Sequence, residues 1–329
     1  MASSAENEND NGSAVAHDFR PLIRVYKDGR VERLLGTATV PAGLDAQTGV
    51  DSKDVKISDA LDTVSARLYL PKFMLNNPEQ DPQLPLLIYF HGGGFCIETA
   101  FSPTYHNHLN LLASQANVVV VSVDYRRAPE FPLPVAYDDS WAAIKWVINN
   151  QADADPWLND RIVDYSRVFI AGDSAGANIA HHMAIRAGIE GINVAGAILV
   201  HPFFSGVDPI GGNEADRRAH LQSRRFVEGL WRLVCPNTRM GLDDPLVNPS
   251  FDPRLKLMGS KKVLIFVADK DSLRGVGFYY KEVLDKSGWA GAAEVVEAKG
   301  EGHVFHLFNP SSESAVAMMK KLVVFLNQS

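Results

Sequence analysis

Two short stretches carry residue types and spacings suited to nucleophilic chemistry. The first is Val168-Phe169-Ile170-Ala171-Gly172-Asp173-Ser174-Ala175-Gly176, an apolar run that enters Gly-x-Ser-x-Gly and then a helix-forming stretch. A strand turning sharply into a helix strains the backbone at the turn and exposes the side chain there. Gly172 and Gly176 let neighbouring backbones approach where a Cβ would clash. Ser174 then stands at a helix start, where developing negative charge is favoured. A plain Ser N-cap is the competing reading, and the buried run before it argues for the nucleophile. The second stretch is Leu87-Ile88-Tyr89-Phe90-His91-Gly92-Gly93-Gly94-Phe95. Acyl transfer makes a tetrahedral oxyanion that needs preset donors. Gly92, Gly93 and Gly94 can aim main-chain N–H groups into a site without side-chain obstruction, and the Ala175 N–H completes the set. His91 is expected to hold the loop by hydrogen bonding rather than to act as a base. A phosphate loop would need a following Lys-Ser/Thr or a Gly-x-Gly-x-x-Gly spacing, and the sequence has neither there.

A serine hydroxyl needs a base, and the base needs an acid to orient it. Of ten histidines, His303 sits in Gly300-Glu301-Gly302-His303-Val304-Phe305, after an expected edge strand at 294–298. His306 is its rival, though a helix starting near His303 would turn it away. His181 and His182 lie on the helix after Ser174, lack the HExxH spacing of a zinc site, and read as structural. The acid should follow a strand between Ser174 and His303. Val263–Ala268 is such a strand, and both Asp269 and Asp271 follow it.

These groups must be positioned by a sheet. Continuous apolar runs at 84–90, 118–123, 168–171, 195–200 and 263–268 suit strands buried on both faces. Between them Leu109, Leu112 and Ala113, then Trp141, Ile144 and Ile148, space as helix faces, and 175–187 is helix-forming. Strand and helix in alternation predict an α/β doubly wound, mostly parallel sheet with helices on both faces. Val64, Ala66, Leu68 and Leu70 alternate as a half-buried strand would. Residues 205–250 break the rhythm, and together with 19–50 they are expected to form a small cap over one end of the sheet. Phe95, Cys96, Phe204 and Trp231 are candidate pocket residues, with Ile97, Phe203 and Phe226 close by.

Composition narrows the partners. The 329 residues carry a formal charge of −7, so no net basic field draws in nucleic acid. No apolar run approaches the roughly 20 residues that span a bilayer. Residues 1–18 are polar, without Lys or Arg, and are expected to form a loose tail rather than a secretory leader. With two cysteines, Cys96 and Cys235, no disulfide framework is needed, and a reduced cytoplasmic location is expected. One domain over 19–329 accommodates all the motifs, because residues near 92, 174 and 303 must meet. No cofactor or metal is implied, and the chain is expected to be a monomer or homodimer.

The motifs together resemble the plant carboxylesterase family, within the hormone-sensitive-lipase-like branch of α/β-hydrolases. The resemblance runs from Arg24–Arg33 through His91–Gly94, Asp124-Tyr125-Arg126, Ala128-Pro129-Glu130 and Gly172–Gly176 to Asp271 and His303. It implies an α/β-hydrolase fold and the chain order nucleophile, acid, base. The second Asp of the acid loop is catalytic in the family, which favours Asp271. It implies a serine carboxylesterase acting on small carboxylic esters. Three kinds of relative lack esterase machinery in part. Gibberellin receptors lose the catalytic His, 2-hydroxyisoflavanone dehydratases carry Thr for Ser, and alkaloid cyclases alter the glycine or Ser motifs. His303, Ser174 and both glycine motifs are intact here. A dehydratase, lyase or cyclase of specialised metabolism is the alternative, and a small-molecule receptor a weaker one. Two departures from the family are Arg127, where Leu is usual, and the acid loop Leu273-Arg274-Gly275-Val276-Gly277.

Overall fold

The computed structural model describes residues 14–57, 64–72, 82–149 and 155–328. In chain order the elements are β1 (Val15–Phe19), β2 (Ile23–Tyr26), β3 (Val31–Arg33), β4 (Val50–Lys56), β5 (Ser65–Pro71), β6 (Leu84–Phe90), α1 (Pro103–Ala116), β7 (Val119–Asp124), α2 (Val135–Asn149), β8 (Val163–Asp173) and α3 (Ala175–Glu190). They continue with β9 (Gly196–Val200), α4 (Glu214–Val234), β10 (Lys262–Ala268), α5 (Arg274–Lys286), β11 (Ala292–Ala298), α6 (Phe305–Phe308) and α7 (Glu313–Asn327). Short 3-10 turns link several of them.

The apolar runs become the strands of an eight-stranded sheet ordered β11-β10-β9-β8-β6-β7-β5-β4. From β11 to β7 the pairs are all parallel; β5 is antiparallel to both β7 and β4. A continuous apolar run serves both faces because successive side chains point oppositely. In β6, Leu86, Ile88 and Phe90 pack with Trp141, Ile144 and Ile179 from α2 and α3. Leu87 and Tyr89 pack on the other face with Tyr105, Leu109 and Leu112 of α1 and Met318, Leu322 and Phe325 of α7. β10 divides the same way, Val263, Ile265 and Val267 against Leu264, Phe266 and Ala268. Each such aliphatic contributes roughly 1.5–3 kcal/mol on burial. Among the described residues, no helix is long and apolar enough to cross a membrane.

Three expectations need correction. The strand with the alternating pattern, β5, is buried along nearly its whole length, not half-buried, since Ala66, Leu68 and Leu70 enter the core on one face of the sheet and Tyr69 the core on the other. Its charged member, Arg67, is 1% exposed because Asp54 takes both its Nε and Nη2 donors and the Val40 carbonyl takes Nη2 as well. Secondly, the polar tail ends sooner than residue 18. Val15–Phe19 forms β1 and pairs antiparallel with β2, Phe19 facing Ile23 across a turn closed by Leu22 N–H to the Phe19 carbonyl at 2.8 Å. Averaged composition hid a backbone ladder that needs little side-chain burial. Residues 1–13 lie outside the described residues. Thirdly, the expected cap segment 205–250 does not act as one piece. The sheet β1-β2-β3 and helix α4 meet through Phe19 and Phe226, ring edge to face at 5.9 Å. The stretch after α4 instead lies along α3, where Asn178 and His182 donate to the Leu246 carbonyl at 2.8 and 3.0 Å.

Candidate active site

β8 ends at Asp173 and α3 begins at Ala175, which leaves Ser174 alone in the turn at φ 52, ψ −117. That backbone is strained for any L-residue. It is held from the next strand: Ser174 N–H donates to the Val200 carbonyl at 2.8 Å, and Phe203 N–H donates to the Ser174 carbonyl at 3.0 Å. Gly176 is required, because a Cβ there would run into the Phe90 carbonyl oxygen; at Gly172 it would meet the Gly176 carbonyl.

The loops after β10 and β11 deliver the other two groups. His303 Nδ1–H donates to Asp271 Oδ2 at 2.7 Å, and Ser174 Oγ–H donates to His303 Nε2 at 3.0 Å, in the tautomer that satisfies both. Burial would push the Asp271 carboxyl up, but the hydrogen bond and charge of His303, the nearby His201 and the Leu273 N–H hold it below its ordinary value. Burial works to lower His303, but its hydrogen bond to Asp271 and the charges of Asp271 and Asp173 together outweigh this, so the imidazole is raised. Asp269 is occupied elsewhere, accepting from Gly300 N–H at 2.7 Å. His306 is buried with its ring against His108 at 4.9 Å, and burial keeps it neutral. His181 bonds the Tyr280 hydroxyl at 2.8 Å, and the neighbouring Asp252 is paired with Arg254, so this cluster is structural.

The glycine loop is tied to the serine turn by a buried chain of hydrogen bonds. Gly92 N–H donates to Tyr105 Oη at 2.7 Å, Tyr105 donates to Asp173 Oδ2 at 2.8 Å, and Tyr89 donates to Asp173 Oδ1 at 2.8 Å. Gly92 is therefore corrected from oxyanion donor to anchor, since its one N–H is taken. Among the described residues, the N–H groups of Gly93, Gly94 and Ala175 carry no such bond. Gly93 and Gly94 hold φ 94 and 60, where a side chain would be strained. His91 stacks on Tyr125 at 4.2 Å and its Nδ1 lies 2.9 Å from the Gly92 carbonyl. Burial lowers it to about 3, so it stays neutral.

The sequence reading passed over Tyr89, Tyr105 and Asp173 as network members. The signal was two tyrosines facing one carboxylate from a strand and a helix otherwise rich in aliphatics; a buried tyrosine hydroxyl needs a partner. His201 was also missed. Fully buried after β9, it accepts from Val304 N–H at 2.8 Å and so fixes the residue after His303 at φ 47.

Ser174 and His303 open into a cavity of about 760 Å³ lined by Leu22, Leu34, Ile97, Phe203, Phe226 and Leu230 among others. The β1–β3 side and α4 thus both form its wall. Phe95, Cys96, Phe204 and Trp231 do not line it and are corrected to core. Phe95 at φ 62 turns inward and packs on Phe203 and Trp231 at 6.2 and 6.5 Å. On α4, Ser223, Phe226, Val227 and Leu230 share the cavity face, and Trp231, one residue on, is rotated into the core. Phe204 stacks on Tyr280 at 4.9 Å. Cys96 is buried, which pushes its thiol up to about 12.

Comparison with known proteins agrees with this geometry. Residues 87–307 match a protein family described as having the alpha/beta hydrolase fold. The chain is 46% identical to "Probable carboxylesterase 13" of Arabidopsis thaliana, covering 95% of this chain and 98% of the relative. It is 42% identical to the 2-hydroxyisoflavanone dehydratase of Glycyrrhiza echinata, over 99% of this chain and 100% of that one. Among solved structures, an esterase of Pyrobaculum calidifontis superposes with a TM-score of 0.67 at 28% identity, covering 84% of each chain. A strand-turn-helix serine, a mostly parallel eight-stranded sheet and near full-length relatives together establish that the chain belongs to the alpha/beta hydrolase family.

Proposed function

We propose that the chain is a serine carboxylesterase that hydrolyses small carboxylic esters through an acyl-enzyme on Ser174. The observation that carries the reading is the unbroken Ser174–His303–Asp271 hydrogen-bond chain opening on an apolar cavity. Ser174 Oγ attacks the ester carbonyl while His303 Nε2 takes its proton. Asp271 holds the imidazole in the tautomer that can accept and stabilises the imidazolium. The Gly93, Gly94 and Ala175 N–H groups bind the oxyanion, and the α3 N-terminus adds its positive end. His303 returns the proton to the leaving alcohol. Water, deprotonated by the same imidazole, then releases the acid and restores Ser174. Replacing Ser174 with Ala should abolish hydrolysis of a short-chain p-nitrophenyl ester. Turnover near wild type would show the nucleophile to be misassigned.

A second reading is favoured by one specific observation, the near full-length relative named 2-hydroxyisoflavanone dehydratase. In that case His303 would abstract a carbon-bound proton and the oxyanion donors would stabilise an enolate. Product analysis with acetylated and unacetylated metabolites separates elimination from hydrolysis. A part in plant specialised metabolism belongs with either reading, supported by the same relative. A cytoplasmic location is supported by two cysteines that are both buried and unbridged.

A further inference from the structure

Among the described residues, the cavity wall carries three carboxylates, Glu98, Asp173 and Asp271, and no lysine or arginine. Two are accounted for: Asp173 accepts from two tyrosines, and Asp271 from His303 and Leu273 N–H. The Glu98 carboxylate has no hydrogen bond or ion pair among the described residues, although it lies near enough to Asp173 and Tyr105 to act on both electrostatically.

Its position is nonetheless built. Glu98 holds φ 65, a conformation that disfavours a long side chain and persists only where the surroundings enforce it. Arg127 donates to the Glu98 carbonyl at 2.7 Å. Upstream, Ile97 N–H and Cys96 N–H both donate to the Gly93 carbonyl at 3.0 Å, and Arg33 donates to the Cys96 carbonyl at 2.7 Å. The carboxylate itself lies against Gly36: a Cβ there would come within 2.7 Å of Glu98 Cδ and 2.8 Å of Oε1. A glycine therefore leaves the slot that the carboxylate occupies at the cavity wall, in a lining that is otherwise mainly aliphatic and aromatic.

We infer that Glu98 is a substrate-recognition group, which accepts a hydrogen bond from a hydroxyl or ammonium group on the ester and turns away anionic esters. This rests on the esterase reading and names its substrate class: uncharged or cationic esters bearing a hydrogen-bond donor. A carboxylate left partly dry by an apolar wall gains most from a donor brought by the substrate. A second carboxylate brought there meets the like charge of Glu98, with no lysine or arginine among the described lining residues to pair with it.

The test uses the full chain and two independent measurements. The first is kcat/KM for p-nitrophenyl hexanoate, 6-hydroxyhexanoate, 6-aminohexanoate and the adipate monoester, in wild type, Glu98→Gln and Glu98→Ala. The second is calorimetric binding of hexanol, hexylammonium and hexanoate to the same enzymes carrying Ser174→Ala, which needs no turnover. Ratios within each enzyme cancel any loss of competent protein. Glu98→Gln should lower the ammonium-to-unsubstituted ratio by roughly tenfold or more and raise the adipate ratio. Glu98→Ala should lower the hydroxyl ratio as well. Separation of the ammonium and hydroxyl arms identifies which donor the site prefers. Equal ratios in wild type and variants overturn the inference, even if esters are hydrolysed well. A binding preference that the variants abolish, with no hydrolysis of any ester, would uphold Glu98 and sink the esterase reading.

Discussion

Replacing Asp173 with Asn removes a buried carboxylate that links the serine turn to the glycine loop, and the structure sets the size and sign of the effect. Burial pushes this carboxyl from 3.8 up to about 6, against the Tyr105 and Tyr89 hydroxyls, which favour the charged form. The folded chain thus binds the Asp173 proton more tightly than the unfolded chain does. Stability is then lost as pH rises from 3.8 to about 6, and the loss is complete at neutral pH. A difference of about two units, at about 1.4 kcal/mol each, comes to roughly 3 kcal/mol. Asn resembles the protonated acid and lacks this titration. Unfolding free energies from urea titrations followed by tryptophan fluorescence should therefore diverge with pH. Between pH 4 and pH 7 the variant should gain roughly 2–3 kcal/mol on wild type. At the same time the loop anchor weakens, because Tyr105, which receives the Gly92 N–H, loses its charged acceptor. Ester turnover should fall by roughly tenfold or more, the worth of one hydrogen bond to a charged group. A stability difference that stays flat across this range would refute the buried-charge argument. Unchanged turnover would refute the claim that the network holds the oxyanion loop.

Asp271→Asn should cut kcat by about four orders of magnitude through the wrong imidazole tautomer. It should also move the acidic limb of the pH–rate profile to lower pH, since the partner that raises His303 is gone while burial still lowers it. Arg274, in the acid loop, holds Asp216 of α4 at 2.7 Å and Glu297 of β11 at 2.5 Å. Arg274→Ala leaves the nearly buried Asp216 unpaired and should cost about 2 kcal/mol in urea unfolding. Trp231→Ala should lower stability by roughly 3–5 kcal/mol, whereas Phe226→Ala should chiefly raise KM for bulky esters, because the first residue is core and the second is cavity wall.

Much of the chemistry was legible because it is local. A buried run, two flanking glycines and a helix-forming stretch describe the Ser174 turn completely, since strain at one residue and close approach at two are properties of a nine-residue segment. The strands of the sheet were equally plain: a run apolar at every position can satisfy only a strand covered on both faces. The order of serine, acid and base could be read along the chain. The choice between two acids two residues apart could not be made from the residues alone. Asp269 and Asp271 follow the same strand, and only the turn geometry sends one to Gly300 and the other to His303.

What the tertiary structure decided was the partner of each group. It gave the Gly92 N–H to Tyr105 and left those of Gly93 and Gly94 without a partner among the described residues. It turned Phe95 into the core through a positive φ, and it set the phase of α4 so that Phe226 faces the cavity and Trp231 does not. It also set β1 as an edge where composition promised a tail. Local sequence determines which conformations a segment prefers and which atoms it can offer. Hydrogen-bond saturation and packing are contests between segments far apart in the chain, and their outcome exists only once the sheet has brought those segments together.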